Sequence, residues 1–149
     1  MHRAFKTHLY LTLAVFTFAM SLSTAMAFTL HPGYGVEATI PFDFNAGDTH
    51  LPAGKYLIVR TSTVEPSMEL TNEAKNIKVF LLVEDMSEAK DSLPAELVFH
   101  KIGDKDFLSG VRTEGDAYQF EQSHQEKQLV MNGSKSQTHK ISCNEMMKN

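Results

Sequence analysis

Between Val36 and Phe44 every second residue is apolar: Val36, Ala38, Ile40, Phe42 and Phe44 alternate with Glu37, Thr39, Pro41 and Asp43. Such a period of two puts one set of side chains on a buried face and the other in water, which is the geometry of a strand and not of a helix. Pro41 falls on the wet side and has no ladder donor, so this strand is expected at an edge or with that donor position turned outward. The same period returns in Ile77, Val79, Leu81 and Val83, where Phe80 and Leu82 make the middle apolar on both sides. Tyr56-Leu57-Ile58-Val59 is a continuous apolar run, consistent with a strand covered on both faces. Shorter patterns predict strands at Met68–Leu70, Glu96–Ile102, Phe107–Thr113 and Ala117–Glu121, with weaker alternation over Thr138–Cys143.

The segments between these strands carry turn chemistry. Asn45-Ala46-Gly47-Asp48 has glycine third, where a type II turn needs positive φ, and Leu51-Pro52-Ala53-Gly54 has proline second and glycine fourth, as a type I turn prefers. Ile40–Tyr56 therefore reads as a corner: a strand, a two-step reversal, and a new strand from Lys55. Asn72–Asn76, Gly103-Asp104 and Glu114-Gly115-Asp116 predict further turns, and the charged loop Asp85–Pro94 offers one helical turn at Met86–Lys90. A single helix is expected from His124 to about Asn132, because Ser123 precedes Glu126 by three residues and Gly133 follows the apolar Leu129 and Val130. Strands in succession without helical crossovers predict an all-β fold, an antiparallel β-sandwich or small barrel of about 7–8 strands with that one short C-terminal helix.

The N-terminus reads as an export signal. Arg3 and Lys6 precede an uncharged apolar run, Leu9–Met20, and Ala25-Met26-Ala27 is a small-residue cleavage site that leaves Phe28 as the new N-terminus. The run is shorter than the roughly 20 residues that span a bilayer, so no membrane span is expected after cleavage. Residues 1–27 are thus a signal peptide and 28–149 one β-rich domain with a frayed tail beyond Asn144. Losing Arg3 and Lys6 takes the formal charge from −4 to −6. With no basic stripe, that excess excludes nucleic acid as a partner class. Cys143 is the one cysteine, so no internal disulfide forms, and the choice lies between an inert thiol and an intermolecular bridge. A lipid-anchoring cysteine would stand at the cleavage point, where Phe28 stands instead.

The pattern "IPFDF…G…LPAGKY" (Ile40–Tyr56), "LVFHKIGDKDFLSGV" (Leu97–Val111) and Ser123, Glu126 and Leu129 resembles a family of small exported bacterial proteins common in Acidobacteria. The resemblance runs from about Val36 to Leu129. It implies one β-domain, and it supplies no catalytic residue, cofactor or ligand. A tryptophan is expected in that family after the valine of "FLSxV"; Arg112 stands there, so no role of that aromatic carries over.

Chemical candidates are sparse. Asp43–Asp48 is a poor calcium loop, with glycine one place early and Gly54 where a bidentate glutamate belongs. Asp104 and Asp106 flank Lys105 in a hairpin turn, at most a weak calcium site. His31, His50, His100, His124 and His139 are scattered without the three or four converging ligands that zinc takes. Ser109 lacks a nucleophile elbow and reads as a strand residue. Glu37, Asp43, Glu84 and Glu96 read as wet-face carboxylates, and Asn132-Gly133-Ser134, formally a glycosylation sequon, as a helix stop. No catalytic, cofactor or metal residue is assigned. The chain is read as an exported, periplasmic or extracellular, non-enzymatic domain that binds or scaffolds, with a protein or an envelope component as the partner class. The alternative is a carrier whose cavity is lined by Phe42, Phe44, Tyr56, Phe80, Phe99, Phe107, Tyr118 and Phe120. A third reading is a hydrolase using carboxylates from separate strands.

Overall fold

The alternating segment at Val36 forms a strand, but a shorter one than its pattern suggests. In the computed structural model, which describes residues 35–61, 67–90 and 93–146, β1 spans Gly35–Ile40 and stops at Pro41, whose missing N–H ends the ladder. The described residues lie in the compact unit Pro32–Asn149. The expected cleavage point Ala27–Phe28 and His31 lie outside them. The chain resumes pairing as a small hairpin, β2 (Phe44–Ala46) with β3 (Thr49–Leu51), turned by Gly47 at φ 56°. Asp43 Oδ1 accepts the Ala53 N–H at 2.8 Å and the Tyr56 hydroxyl donates to the Pro52 carbonyl at 2.7 Å, which locks the second reversal. The corner read from the sequence is therefore present. Phe42 and Phe44 both point to the interior side, and both meet the ring of Phe99.

From there β4 (Gly54–Arg60) pairs back on β1, and β5 (Ser67–Asn72) pairs on β4. A short 3₁₀ turn, Glu73–Lys75, is capped by the buried Asn72 side chain accepting from Lys75 N, and Asn76 closes it in the left-handed region at φ 52°. The twelve-residue β6 (Ile77–Glu88) serves two neighbours: residues 77–82 pair with β5 and residues 83–88 with β9 (Asp116–Phe120), across a bulge at Glu84. The helical turn expected at Met86–Lys90 is absent, since Met86 and Glu88 find ladder partners in Tyr118 and Asp116. Pairing overrides the local preference. β7 (Glu96–Ile102) and β8 (Lys105–Arg112) form a hairpin through Gly103 at φ 66°, and β10 (Ser136–Ser142) adds to β7. The described part of the tail expected to fray forms β11 (Asn144–Met146) on β1, and residues 147–149 lie outside the described residues.

All eleven strands belong to one sheet, whose main path runs β10-β7-β8-β9-β6-β5-β4-β1-β11; β2 joins β8 in parallel, which makes the sheet mixed. The count exceeds the seven or eight expected because Pro41 splits the first pattern, the residues flanking the Gly47 turn pair as a hairpin, and Asn144–Met146 pairs as a strand. The sheet is open, and the small barrel does not form. Its two end strands, β10 and β11, are successive pieces of one chain joined by Cys143, and a strand cannot ladder with its own continuation. Inward side chains from both halves make one core, including Val36, Ile40, Phe44, Tyr56, Leu70, Leu97, Phe99 and Phe120. Leu57 and Val59 are only half-buried, so the apolar run of β4 is not covered on both faces as expected.

A bulge between Val98 and Phe99 leaves Ser109 without an opposite residue, and its hydroxyl donates to the Val98 carbonyl at 3.1 Å. The adjoining Gly110 is pressed on β9: a Cβ there would lie 2.6 Å from the Tyr118 carbonyl oxygen. Gly110→Ala should therefore destabilise the domain by about 1–3 kcal/mol, measured by urea unfolding, because backbone and not a flexible side chain must yield. Gly103→Ala has open space at its Cβ, so its cost should come from φ alone.

Candidate functional site

The described histidines are tied to polar side chains, three of them to carboxyl groups, and each pair fastens one element to another. On β10, His139 Nε2 lies 2.7 Å from Oδ1 of the buried Asp106, while Lys101 Nζ lies 3.4 Å from Oδ2. The imidazole stacks on Phe99 at 5.4 Å and 21° and tilts against Phe42 at 5.2 Å. Asp106 thus bridges β8 to β10 over the intervening β7. It is buried on β8 with His139 and Lys101 as partners, apart from Asp104 in the turn.

The second pair holds the helix. α1 (His124–Met131) starts at Ser123, whose Oγ accepts the Glu126 N–H at 3.0 Å, and ends with Gly133 N–H and Ser134 N–H bonding back to the carbonyls of Val130 and Leu129. This is the left-handed glycine stop expected from the sequon residues. Glu126 does not complete the reciprocal cap. Its side chain is 3 % exposed, and the carboxyl meets His100 Nδ1 at 2.8 Å on β7. Glu126 is the one fully buried residue of the helix; Leu129 is half-buried and Val130 and Met131 are exposed, so this polar contact is the main anchor of the helix. At the other end of the turn, Asp48 accepts from both the backbone N–H and Nδ1 of His124, at 2.8 and 2.9 Å. These two bonds hold its carboxyl below the usual range. His50 Nδ1 faces Asn45 Oδ1 at 3.3 Å.

Glu96, on β7, lies between Arg112 Nη2, 3.0 Å from Oε2, and the Lys140 ammonium, which meets Oε1 as an ion pair. Arg112 also donates to the Pro94 carbonyl at 3.2 Å, while its Nε is buried without a hydrogen-bond partner among the described residues. The position expected to hold tryptophan thus carries a structural cation. Nearby, burial first and the Glu96 carboxylate second push the Cys143 thiol up to about 12. A thiol so placed stays protonated far above neutrality. Its alkylation by iodoacetamide at pH 8 should run at least about tenfold slower in the folded chain than in urea, which a timed mass measurement reads.

The carboxylates considered for hydrolysis are not brought together. Glu37 pairs with Lys55 at 2.9 Å, Asp43 caps Ala53, Glu96 holds Arg112, and Glu84 is exposed. Seven of the eight aromatics named for a cavity lie in or against the interior; Phe80 lies outside with 62 % exposure. Phe44 meets Tyr56 at 5.2 Å and 82° and Phe99 at 5.6 Å and 88°, edge-to-face contacts within the core.

The outward faces of the sheet differ. On the half containing β7 and β8, the face of His100 is overlaid by α1. On the half built from β1, β4, β5 and β6, no described element covers the outward face. Phe80 and its β6 neighbour Leu82 stand there 62 % and 63 % exposed. The ladder row Met146–Gly35–Val59–Glu69–Phe80 crosses this face, and a Cβ at Gly35 would touch both Met146 Cε and Val59 Cγ2 at 3.5 Å. Lys78 pairs with Glu69 at 2.9 Å, and Glu84 and Asp85 follow Leu82 on the exposed bulge. The search for family models, curated proteins and solved structures similar to this chain returns no match. Among the described residues no helix is long and apolar enough to cross a membrane, and no group of three or more His, Cys, Asp or Glu side chains is placed to hold a metal ion.

The sequence had marked Phe80 and Leu82 as apolar on the second face of their strand without saying whether that face was covered. The signal that could have found the surface was the spacing Lys78, Phe80, Leu82, Glu84, an apolar pair bounded by charges on one face.

Proposed function

We propose that this chain is an exported β-domain without enzymatic activity that binds or scaffolds another polypeptide, in the periplasm or outside the cell. The observation that carries the reading is the bare outward face of β6, where Phe80 and Leu82 sit side by side in water. Monomeric soluble proteins rarely leave adjoining large apolar side chains on a rigid sheet, and such a patch rimmed by charge favours a protein contact. The kinship with small exported bacterial β-proteins, read from Leu51–Tyr56 and Phe107–Val111, is part of the same proposal, as is a folded-over, sandwich-like packing of the two sheet halves. The packed rings of Phe44, Tyr56 and Phe99 favour this over a carrier of apolar ligands.

The test uses the full chain, exported with its own leader, carrying a photo-crosslinking amino acid at position 80, at 82, or at the exposed turn residue 104. Adducts to a polypeptide are expected from 80 and 82 and none from 104, with an intact mass beginning at Phe28. Absence of polypeptide adducts at 80 and 82, or a small organic molecule retained in native mass spectrometry, would overturn the binding reading. Retention of the leader would overturn export with cleavage.

A further inference from the structure

Along the outward face of β6 the side chains run Lys78, Phe80 and Leu82, and Glu84 follows exposed on the bulge: a cation, two apolar groups, an anion. That order is its own complement when reversed. A two-fold axis lying in the contact plane, across β6 between Phe80 and Leu82, would set Phe80 of one chain on Leu82 of the other and Lys78 on Glu84, twice over. We propose that the occupant of this face is a second copy of the chain, docked in this antiparallel sense.

The neighbouring rows fit the same operation. In the ladder, Glu69 is level with Phe80 and Ser67 with Leu82, and one strand further out Val59 is level with Glu69. The axis therefore sets Glu69 on Ser67 and Val59 on Thr61, bringing no like charges together. An axis running along β6 would instead set Lys78 on Lys78 and Glu84 on Glu84, so charge selects the first arrangement. Lys78 already contacts Glu69 but keeps 58 % of its side chain exposed, leaving its ammonium hydrogens open to a second carboxylate. Glu84 and Asp85 make no ion pair among the described residues and offer that carboxylate. The apolar pair supplies contact, and the charges set the register.

This inference rests on the binding reading above, and the experiment separates the two. The full exported chain is measured by sedimentation equilibrium, with far-UV circular dichroism as the control for folding. The wild type is expected to dimerise, and Lys78→Glu and Glu84→Lys are each expected to weaken the dimer about tenfold in low salt, since each change affects two symmetry-related pairs. The double variant K78E/E84K should return to within about threefold of wild type, and an equimolar mixture of the two single variants should form a heterodimer. Phe80→Ser with Leu82→Ser should be monomeric and folded. A wild type that stays monomeric to about 100 µM, a range where even weak dimers assemble, would overturn the proposal. So would single charge reversals without effect, or a double variant that is not rescued. If the chain is monomeric yet position 80 crosslinks to a different polypeptide, the binding reading stands and the second copy does not; if neither occurs, both fall.

Discussion

Phe99→Ala is expected to cost the folded state about 3–5 kcal/mol, among the larger effects of any single truncation here. Phe99 is fully buried and meets three aromatic rings, Phe42 at 5.3 Å, Phe44 at 5.6 Å and His139 at 5.4 Å. Phe42 and Phe44 come from the corner between β1 and β2, and His139 comes from the end strand β10. Removing the ring leaves a hole where the corner, the hairpin and the end strand meet, and a rigid sheet cannot close it by moving one strand alone. The His139–Asp106 contact also loses the surface against which its imidazole stacks. Urea unfolding with an unchanged m-value should show the midpoint falling. Phe99→Leu should recover more than half of the loss, because most of the volume returns. Phe80→Ala, the same deletion on the outward face, should change the stability of the monomer, measured at protein concentrations below those at which the chain dimerises, by less than about 0.5 kcal/mol. If Phe80→Ala proves as damaging as Phe99→Ala, the assignment of inner and outer faces is wrong.

That contrast shows what the sequence conveyed. Alternation alone placed Val36, Ala38, Ile40, Phe44 and Leu81 on the inner face, and each is buried there, because period two depends only on the pleat. Local chemistry placed the Gly47 and Gly133 turns and the Ser123 cap, since those preferences act within four or five residues. What could not be read were the events that depend on distant partners. Pro41 ends β1 rather than decorating it. Met86 leaves its helical tendency for β9. Asn144–Met146 is held by Gly35–Glu37, over a hundred residues away in the chain. Closure was misread for the same reason: the sequence displays strands of adequate number, but not that the first and last neighbours of the sheet path would be one continuous stretch around Cys143. The polar fastenings were equally hidden. His100 and His139 looked like scattered histidines, because their carboxyl partners lie 26 and 33 residues away.

His100→Ala should be more destabilising than removal of both members of the His100–Glu126 pair. The side chain of Glu126 is buried, and His100 supplies its carboxyl's shortest contact, 2.8 Å; the amide of Gln122 stands further off at 3.4 Å. Deleting the imidazole alone leaves a buried carboxyl group with one long hydrogen bond, a loss of about 3 kcal/mol. Deleting both, as His100→Ala with Glu126→Leu, removes the polar group together with its need for a partner, and should cost no more than about 1–2 kcal/mol. Glu126→Gln retains an oxygen that can accept from the ring and should fall between them. The order follows from where the helix gets its hold. Glu126 is the one fully buried side chain on α1, Leu129 is half-buried, and Val130 and Met131 face water, so the polar contact is the main anchor of its position. Amide exchange across residues 124–131 should therefore quicken more than exchange in β7 when His100 is removed, as the helix opens without the sheet. Equal losses in the single and double variants would mean that the carboxyl finds water on its own. The seat of the helix would then be Ser123 and Asp48, at its first turn.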